Sequence, residues 1–368
     1  MQALHCNESF APKLLTAAVQ HSAVNPYLYY YQILKMNKLF FLTCTLLLSF
    51  LLQAQDPHFS QFFASPLTLN PAFTGKFDGQ LRLAANHRDQ WPSIPKAYVT
   101  TSASVDFGIL KNKIPDGDVF GIGISGLSDQ SADAALKLNY GSVALSYHKA
   151  LDEDGFNTIG AGFQATYSSS ILDFSKLTFE DQLRQNGFTG ATNEVLTNGN
   201  NQNYVDVNAG LLYSGSSNGS NNYYLGASVY HINRPNLSFI DKVWTLSPRI
   251  TVHGGGSFPL TEMLSINTSA IYQLQNKANE ILIGGALSAN LNADTDNPSN
   301  VYVGSWIRFN DAIIPYIGIE IGGLRIGASY DINTSGLKAA TLSRGGSEFS
   351  IIYIKKAAQT KGIPCPRF

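Results

Sequence analysis

The sequence has little charge and no long apolar run. Asp, Glu, Lys and Arg make up 14% of the 368 residues, well below the roughly 25% of a typical soluble domain. The net charge of −1 and the lack of a basic stripe argue against a nucleic-acid-binding protein, which selects for clustered Lys and Arg. No stretch reaches the roughly 20 apolar residues that a membrane-spanning helix needs.

The longest apolar run lies near the N-terminus, from Leu39 to Leu52, directly after the short positive stretch Met36 to Lys38. This order is typical of a secretory signal peptide, and we predict one over 36–54, with cleavage after Ala54. Residues 1–35 then precede a complete signal peptide. We interpret them as a mis-assigned upstream extension, and a genuine amphipathic extension is the alternative.

Cysteine is also scarce, with three residues in the whole chain. Cys6 and Cys44 precede the predicted cleavage site, so only Cys365 remains in the mature chain. A single cysteine excludes an intrachain disulfide. Other interactions must therefore hold the fold together.

Glycine, aromatic residues and neutral polar residues take the place of charge. The chain has 32 Gly, 21 Phe, 18 Tyr and 3 Trp, and Asn, Ser and Thr supply most of the remaining polarity. This composition suits strands that have one face in lipid and the other in a polar lumen.

Apolar and polar residues alternate with a period of two in segments of about ten residues. In the segment 264–273 every second residue is apolar or Thr, and Ile271 is the one exception; similar segments lie at 205–213, 316–321 and 324–332. Such alternation predicts β-strands. About fourteen comparable segments start near 81, 98, 119, 136, 157, 204, 223, 249, 264, 281, 301, 313, 324 and 348.

The lengths of the connections give a second indication. If the chain enters the first strand from the periplasm, connections after odd-numbered strands lie outside the cell, where outer-membrane barrels carry their long loops. The three longest predicted connections, about 169–203, 231–248 and 333–347, follow the fifth, seventh and thirteenth strands. The longest is a candidate extracellular contact or else a lid.

We therefore predict an all-β chain. Its main part, 81–368, is expected to be a transmembrane antiparallel outer-membrane β-barrel of about 14 strands. An even strand number returns the C-terminus to the side where the chain started, as bacterial barrels require. A short N-terminal segment, 55–80, is expected to pack on or in the barrel. A soluble β-sandwich is the alternative.

Motifs that resemble catalytic sites lie in the wrong context. The G-x-G-x-x-G match at 121–126 alternates with isoleucines inside a predicted strand, and not between a strand and a helix. The G-x-S-x-G match at 215–219 lies in a flexible turn. The histidines show no metal-ligand spacing, and the acidic turns at 152–155 and 294–298 complete no cation loop. We predict no enzyme, no metal and no cofactor.

Two stretches rich in aromatic residues and proline remain. The first is QDPHFSQFFASPLTLNPAFTG, 55–75, and the second is HRDQWPSIPKAY, 87–98, between the first two strands. In the second stretch, Arg88, Gln90 and Trp91 belong to the residue types that make directed contacts at protein interfaces. The alternative is a Trp in the aromatic girdle, with Arg88 extending to the lipid headgroups.

Together these stretches resemble the PorP/SprF family, outer-membrane proteins of the type IX secretion system of Bacteroidetes. The family pattern is Asp-Pro-x-Phe-Ser-Gln, then Pro-Leu and Asn-Pro-Ala-aromatic-x-Gly, then aromatic-Arg-x-Gln-Trp. His87 stands where the aromatic residue is usual, and Cys365-Pro366 matches a Cys-Pro common near the family's C-terminus. The matching residues are Asp56, Pro57, Phe59, Ser60, Gln61, Pro66, Leu67, Asn70, Pro71, Ala72, Phe73, Gly75, Arg88, Gln90 and Trp91.

The resemblance implies a fourteen-stranded barrel in the outer membrane of a Gram-negative, Bacteroidetes-type bacterium. It implies assistance in the export or surface attachment of cargo proteins, including gliding-motility adhesins, by protein-protein interaction. The implied partners are outer-membrane lipid, the C-terminal domain of the secreted cargo, the secretion pore, and periplasmic ring or peptidoglycan-linked lipoprotein components. The alternative is a porin-like or substrate-transport channel with an N-terminal plug.

The matching residues in 56–91 are our candidates for an interaction or structural motif. We hypothesise that 55–75 folds against or into the barrel, where Phe59, Phe62, Phe63 and Phe73 anchor it. An Asn-Pro turn at 70–71 would fix its path. Such a segment would close the lumen or present a periplasmic contact.

Overall fold

Long antiparallel strands dominate the computed structural model of the chain. It describes residues 56–94, 97–110, 113–193, 201–217, 219–237, 245–292 and 299–356, all within one unit, Gln55–Phe368. None of the helices in these ranges has the length and apolar character needed to cross a membrane. The predicted signal peptide 36–54, the extension 1–35, the acidic turn 294–298 and Cys365-Pro366 lie outside the described residues.

The fourteen strands form a closed barrel. Each strand pairs antiparallel with the next, and the last pairs with the first from Leu81↔Lys355 to Gln90↔Gly346. Closure leaves no strand edge unpaired, which lipid requires, and the predicted fourteen-stranded barrel is confirmed. The strands are β1 (Leu81–Gln90), β2 (Tyr98–Ile109), β3 (Val119–Ser131), β4 (Leu136–Ala150), β5 (Thr158–Leu172), β6 (Asn201–Ser216), β7 (Asn222–Tyr230), β8 (Arg249–Pro259), β9 (Leu264–Gln275), β10 (Ala278–Asn290), β11 (Ser299–Arg308), β12 (Ala312–Ile321), β13 (Leu324–Asn333) and β14 (Arg344–Lys355).

Short helices occur before the barrel and in two of its connections. The N-terminal segment contains a 3₁₀ turn, Phe62–Ala64, the α-helix α1, Pro66–Leu69, and a second 3₁₀ turn, Pro71–Phe73. The connection after β5 contains 3₁₀ turns at Phe174–Lys176 and Glu180–Gln182 and a hairpin of two-residue strands, Leu183–Arg184 and Gly187–Phe188. The helix α2, Lys338–Thr341, precedes β14.

The outer face of the barrel is apolar. On β12, Ile313, Ile317 and Ile319 point outward and are 44–59% exposed, whereas Ile314 and Tyr316 between them point inward and are buried. Exposed aliphatic side chains at every second position form the band that contacts lipid tails in outer-membrane barrels. The alternation in the sequence therefore reflects strands that face lipid on their outer side and the lumen on their inner side.

Ile271, the exception in the alternation of 264–273, points into the lumen. It is 6% exposed and belongs to a cluster of inward apolar residues that includes Leu282, Trp306 and Ile314 on β10, β11 and β12. Phe62 of the N-terminal segment belongs to the same cluster. An apolar residue on the lumen face is favourable here because the segment covers it.

The two ends of the barrel differ in the length of their connections. The longest connections, 173–200, 231–248 and 334–343, all follow odd-numbered strands, as predicted, and lie at one end. We name this the long-loop end, and the opposite end, with connections such as Gly322–Gly323, the short-turn end. Long extracellular loops and short periplasmic turns are the pattern of outer-membrane barrels, so we assign the long-loop end to the cell surface.

We expect Ile317→Lys to destabilise the barrel by about 2–4 kcal/mol, because the change places an ammonium near the middle of a lipid-facing strand. Equilibrium unfolding in lipid vesicles measures the effect. Leu342→Lys is the control, because Leu342 lies in a connection and is 73% exposed. Equal losses for both variants would contradict the assigned lipid face.

Candidate functional site

Residues 56–75 lie inside the barrel, and we name them the plug segment. At the long-loop end, the backbone N–H of Asp56 donates to Oε1 of Gln275, the last residue of β9, at 2.8 Å. At the short-turn end, the N–H of Gly75 donates to Oδ2 of Asp106 on β2, at 2.7 Å. The plug segment therefore runs through the lumen before the chain enters β1. The expectation of a segment packed on or in the barrel is confirmed, in its inner form.

Proline and asparagine shape the plug segment. Pro66 opens α1 and Pro71 opens the second 3₁₀ turn, at positions where a backbone N–H is not needed. The side chain of Asn70 accepts the N–H of Ala72 at 2.8 Å and so begins that turn. The expected Asn-Pro turn is therefore present.

The barrel wall supplies partners for the carbonyl groups at the end of α1. Ser228 Oγ donates to the carbonyl oxygen of Leu69 at 2.7 Å, and Tyr230 OH donates to that of Leu67 at 2.9 Å. Buried carbonyls at a helix end need such partners. Asn70 Nδ2 in turn donates to the carbonyl oxygen of Leu211 at 3.0 Å, which joins the turn to β6.

Glycines of the wall allow this close approach. A Cβ at Gly210 would lie 1.9 Å from Oδ1 of Asn70, and a Cβ at Gly162 would lie 2.4 Å from the nitrogen of Ala72. At Gly121 it would lie 2.2 Å from the carbonyl oxygen of Thr74. Gly121, in the G-x-G-x-x-G match, therefore makes room for the plug segment within β3.

Aromatic side chains fill the space on the other side of the plug segment. The ring centroid of Phe63 lies 5.0 Å from that of Trp306 and 5.5 Å from that of Tyr316. Phe73 lies 5.1 Å from the ring of His253. Phe59 and Phe62 are 5% and 4% exposed. All four phenylalanines proposed as anchors are therefore at least partly buried within the barrel, and Phe62, Phe63 and Phe73 contact the inner apolar cluster.

A buried carboxylate holds the start of the plug segment by its backbone. Glu348 on β14, 1% exposed, accepts the N–H of Ser60 at 2.7 Å and the N–H of Gln61 at 2.8 Å. The Gln61 side chain donates to the backbone carbonyl of Glu348 at 2.9 Å and accepts the hydroxyl of Ser350 at 2.6 Å. Ser60 and Gln61 thus bind the wall through main chain and side chain together.

Two arginines complete the binding of this region. Asp331 on β13 pairs with Arg88 at 2.8 Å and with Arg308 at 2.9 Å, and it accepts the hydroxyl of Ser60 at 2.8 Å. Arg88 also donates to the carbonyl oxygen of His58 at 2.7 Å. Removing one partner of a buried ion pair costs about 3–5 kcal/mol, because the remaining charge is left uncompensated.

The interpretation of Arg88 as a residue that reaches the lipid headgroups is wrong. Its side chain points into the lumen and is 1% exposed, because strand alternation places position 88 on the inner face. The same burial removes it from any external partner. Trp91, after the strand, lies 5.4 Å from the ring of Tyr98, and Gln90 pairs with Tyr98 across the ladder. His87 faces outward, with Nδ1 2.8 Å from the hydroxyl of Thr101.

A second ion pair holds the plug segment at the short-turn end. Arg82 contacts both carboxylate oxygens of Asp106, at 2.9 and 2.8 Å, and donates to the carbonyl oxygen of Phe73 at 2.9 Å. Asp106 also accepts the N–H of Gly75, which has a φ of +69°. A Cβ at Gly75 would lie 2.7 Å from Cα of Gly121. Both the backbone angle and the space therefore require glycine here.

A histidine anchors the beginning of the plug segment between two carboxylates. His231 lies 2.6 Å from Asp56 and 2.8 Å from Asp206, and Arg249 lies 3.3 Å from Asp56. Burial disfavours the ionised form of Asp56. The positive charges of His231 and Arg249 more than offset this effect, and they hold the pKa of the Asp56 carboxyl well below its usual range. Burial also opposes the imidazolium of His231, but Asp56 and Asp206 raise its pKa to about 9. Asp56 and His231 are therefore both charged at neutral pH.

His58 behaves in the opposite way. Burial lowers its pKa to about 4, so its 3.1 Å contact with Glu280 is made by a neutral imidazole at neutral pH. Within the described ranges, no group of three His, Cys, Asp or Glu side chains has the arrangement of a metal site.

The sequence motifs predict the residues of the plug segment but not the wall residues that bind it. These wall residues share one property: they are charged or ionisable and lie on the inner face or at strand ends. Because the chain has so little charge, ionisable residues at lumen-facing positions of strands are the sequence feature that would predict these wall contacts. They are Arg82, Asp106, His231, Arg249, Arg308, Asp331 and Glu348.

The model of the PorP/SprF family, described as a type IX secretion system membrane protein, matches residues 51–353. The chain belongs to this family. The match covers most of the chain and confirms the resemblance carried by the motifs in 56–91. With its closed, lipid-facing barrel, this PorP/SprF protein is an outer-membrane protein of the type IX secretion system.

Several solved structures share the barrel form at low similarity. The Ralstonia pickettii toluene transporter TbuX is 10% identical with a TM-score of 0.47, over 80% of this chain and 94% of that chain. The Pseudomonas putida toluene transporter TodX is 10% identical with a TM-score of 0.45, over 78% and 92%. A Pseudomonas aeruginosa FadL homologue is 11% identical with a TM-score of 0.44, over 77% and 92%. Such values establish no shared function. No curated protein matches the chain.

We expect deletion of 56–75 to turn a non-conducting barrel into a conducting one, because the plug segment occupies the lumen. Single-channel recording in planar bilayers measures the change. A Gly-Ser linker in place of the exposed hairpin residues 183–188 is the control and should leave the conductance unchanged. Asp331→Asn keeps the segment in place but removes the carboxylate charge shared by Arg88, Arg308 and Ser60, and we expect it to cause intermittent openings. Equal conductance in all four proteins would show that the segment does not close the lumen.

We expect the anchor at Asp56 to weaken as the pH rises through about 9. The folded-state pKa of His231 is raised, so its stabilising charge is fully present below the ordinary histidine value and is lost above pH 9. NMR titration of histidine ring protons measures this, with His231→Gln identifying the signal. A midpoint near 6.5 would contradict the assigned ion pairs.

Proposed function

We propose that this barrel assists the export or surface attachment of cargo proteins by protein-protein interaction, without catalysis. The observation that carries the proposal is the occupied lumen. A segment bound at both ends by buried charged residues of the wall leaves the outer loops and the short-turn end as the surfaces that contact partners. A barrel of this kind is suited to hold partners in the membrane.

The strength of the fastening favours this function over solute transport. Asp331 and Glu348 bind the segment near the long-loop end, and Arg82 with Asp106 binds it near the short-turn end. Each of these contacts is a hydrogen bond to a charged group of the wall, and such a bond contributes about 1.5–3 kcal/mol. A movable plug would have to break several of these bonds together in every transport cycle, and the binding of a small solute supplies too little energy for that.

The cargo side is proposed to be the long-loop end. In the connection after β5, the hairpin exposes Leu183 and Phe188 to 53% and 54%. Exposed apolar residues in a loop are more consistent with a partner contact than with a lid. The C-terminal domain of a secreted protein, such as a gliding-motility adhesin, is the proposed cargo. The secretion pore and periplasmic ring or peptidoglycan-linked lipoproteins are the proposed machinery partners.

Affinity capture of the tagged protein from native outer membranes in mild detergent tests this function. We expect mass spectrometry to recover the secretion machinery and a cargo C-terminal domain in stoichiometric amounts. The double variant Leu183→Ser/Phe188→Ser should lose at least about tenfold of the cargo, as expected when two apolar anchors are removed. Leu342→Ser, also in a connection at the long-loop end, is the matched control and should retain it.

Two other results would contradict parts of this proposal. Recovery of the barrel alone, together with a solute-dependent conductance of the wild-type protein, would favour the alternative of a porin-like or substrate-transport channel with an N-terminal plug. If the double variant recovers as much cargo as the wild type, the secretion role is still supported, but the hairpin is not the cargo contact.

A further inference from the structure

A cavity of about 800 Å³ lies beneath the plug segment. Phe63 and Phe73 of the segment line its inner part, and residues at the short-turn end, including Phe156 and Asn222, line its mouth. The cavity therefore opens at the short-turn end and is closed toward the cell surface. Its size lies within the range of ligand-binding pockets, about 300–1,000 Å³.

Aromatic rings dominate the inner wall of this cavity. Trp306 and Tyr316 stand perpendicular to each other, with ring centroids 5.6 Å apart, and Phe63 lies against both. Tyr224 and Tyr302 extend the aromatic surface. Flat rings in such a setting offer faces and edges for another aromatic group.

Two polar groups that line the cavity have no partner in the described part of the chain. Lys76 directly follows the plug segment and is partly buried, and its ammonium forms no ion pair or hydrogen bond with a described residue; burial lowers its pKa. The hydroxyl of Ser216, in a residue that is 7% exposed, also lacks a hydrogen bond. Arg325 differs, because Glu320 pairs with it at 2.5 Å and the Tyr302 ring stacks against it at 4.4 Å.

We propose that this cavity binds an organic carboxylate that carries an aromatic group and enters from the short-turn end. The aromatic group would pack on Phe63, Phe73 and Tyr224, the partly exposed rings of the inner wall. The carboxylate would pair with the free ammonium of Lys76 and accept a hydrogen bond from the free hydroxyl of Ser216, in charge-assisted contacts. Asp78, the acidic residue at the mouth, is exposed to solvent and opposes this charge weakly. The proposal does not depend on the secretion role.

Two kinds of ligand carry both an aromatic group and a carboxylate. One is a free small molecule, and the other is the C-terminal end of a polypeptide whose last residue is aromatic. The probes are N-acetyl-L-phenylalanine, its uncharged amide, and a flexible ten-residue peptide that ends in phenylalanine with a free carboxylate. Fluorescence of Trp306 reports binding to the full-length barrel in detergent, after Trp91→Phe and Trp244→Phe have made it the sole tryptophan.

We expect saturable binding of N-acetyl-L-phenylalanine. Its amide should bind roughly tenfold to a hundredfold more weakly, and Lys76→Gln should weaken the carboxylate by the same factor, which is the value of a hydrogen bond to a charged group. Lys76→Arg should retain binding, and Lys338→Gln, an exposed lysine at the long-loop end, should change nothing. Peptide binding as tight as that of the small probe would identify a polypeptide end as the source, and binding of the small probe alone would identify a free molecule.

Two results would overturn the proposal. One is the absence of any saturable signal with both carboxylate probes in a barrel whose heat-modifiable migration shows it to be folded. The other is binding that Lys76→Gln leaves unchanged, because the ammonium would then play no part in recognition.

Discussion

The binding of Ser60 and Gln61 by buried carboxylates is the interaction on which the inner organisation of this barrel depends. Glu348 and Asp331 accept three hydrogen bonds from these two residues, and Arg88 and Arg308 balance the charge. A carboxylate inside a barrel is costly unless it is paired and hydrogen-bonded. The plug segment and the arginines therefore satisfy the carboxylates together: without the arginines Asp331 would be an unpaired charge, and without the segment Glu348 would lose two backbone hydrogen bonds.

This mutual requirement extends along the lumen wall. The wall bears glycine where the backbone of the plug segment comes close, as at Gly162 and Gly210, and bears apolar residues where Phe62 and Phe63 lie. In a water-filled channel, Ile271 and Leu282 at inward positions would expose apolar side chains to water. The wall is thus a binding surface shaped for one internal ligand, which is the chain's own N-terminal segment.

Filling the lumen divides the molecule into surfaces with different tasks. The lipid-facing band keeps the barrel in the membrane, and the long-loop end carries an exposed apolar hairpin. At the short-turn end an aromatic cavity remains beside the plug segment. In a member of a secretion family, a closed barrel with distinct features at its two ends is consistent with the holding of partners on both sides of the membrane.

The sequence by itself determined the barrel, its strand number, the end that bears long loops and the family, because each depends on short-range patterns. Period-two alternation reports two environments at every strand, and motifs such as Asn70-Pro71 shape the chain locally. The tertiary structure alone decided what Arg88 contacts, since its partners Asp331 and His58 are 243 and 30 residues away. Which inward-facing charged residues form ion pairs depends on the strand register and on the path of the plug segment. No local sequence pattern encodes these partners.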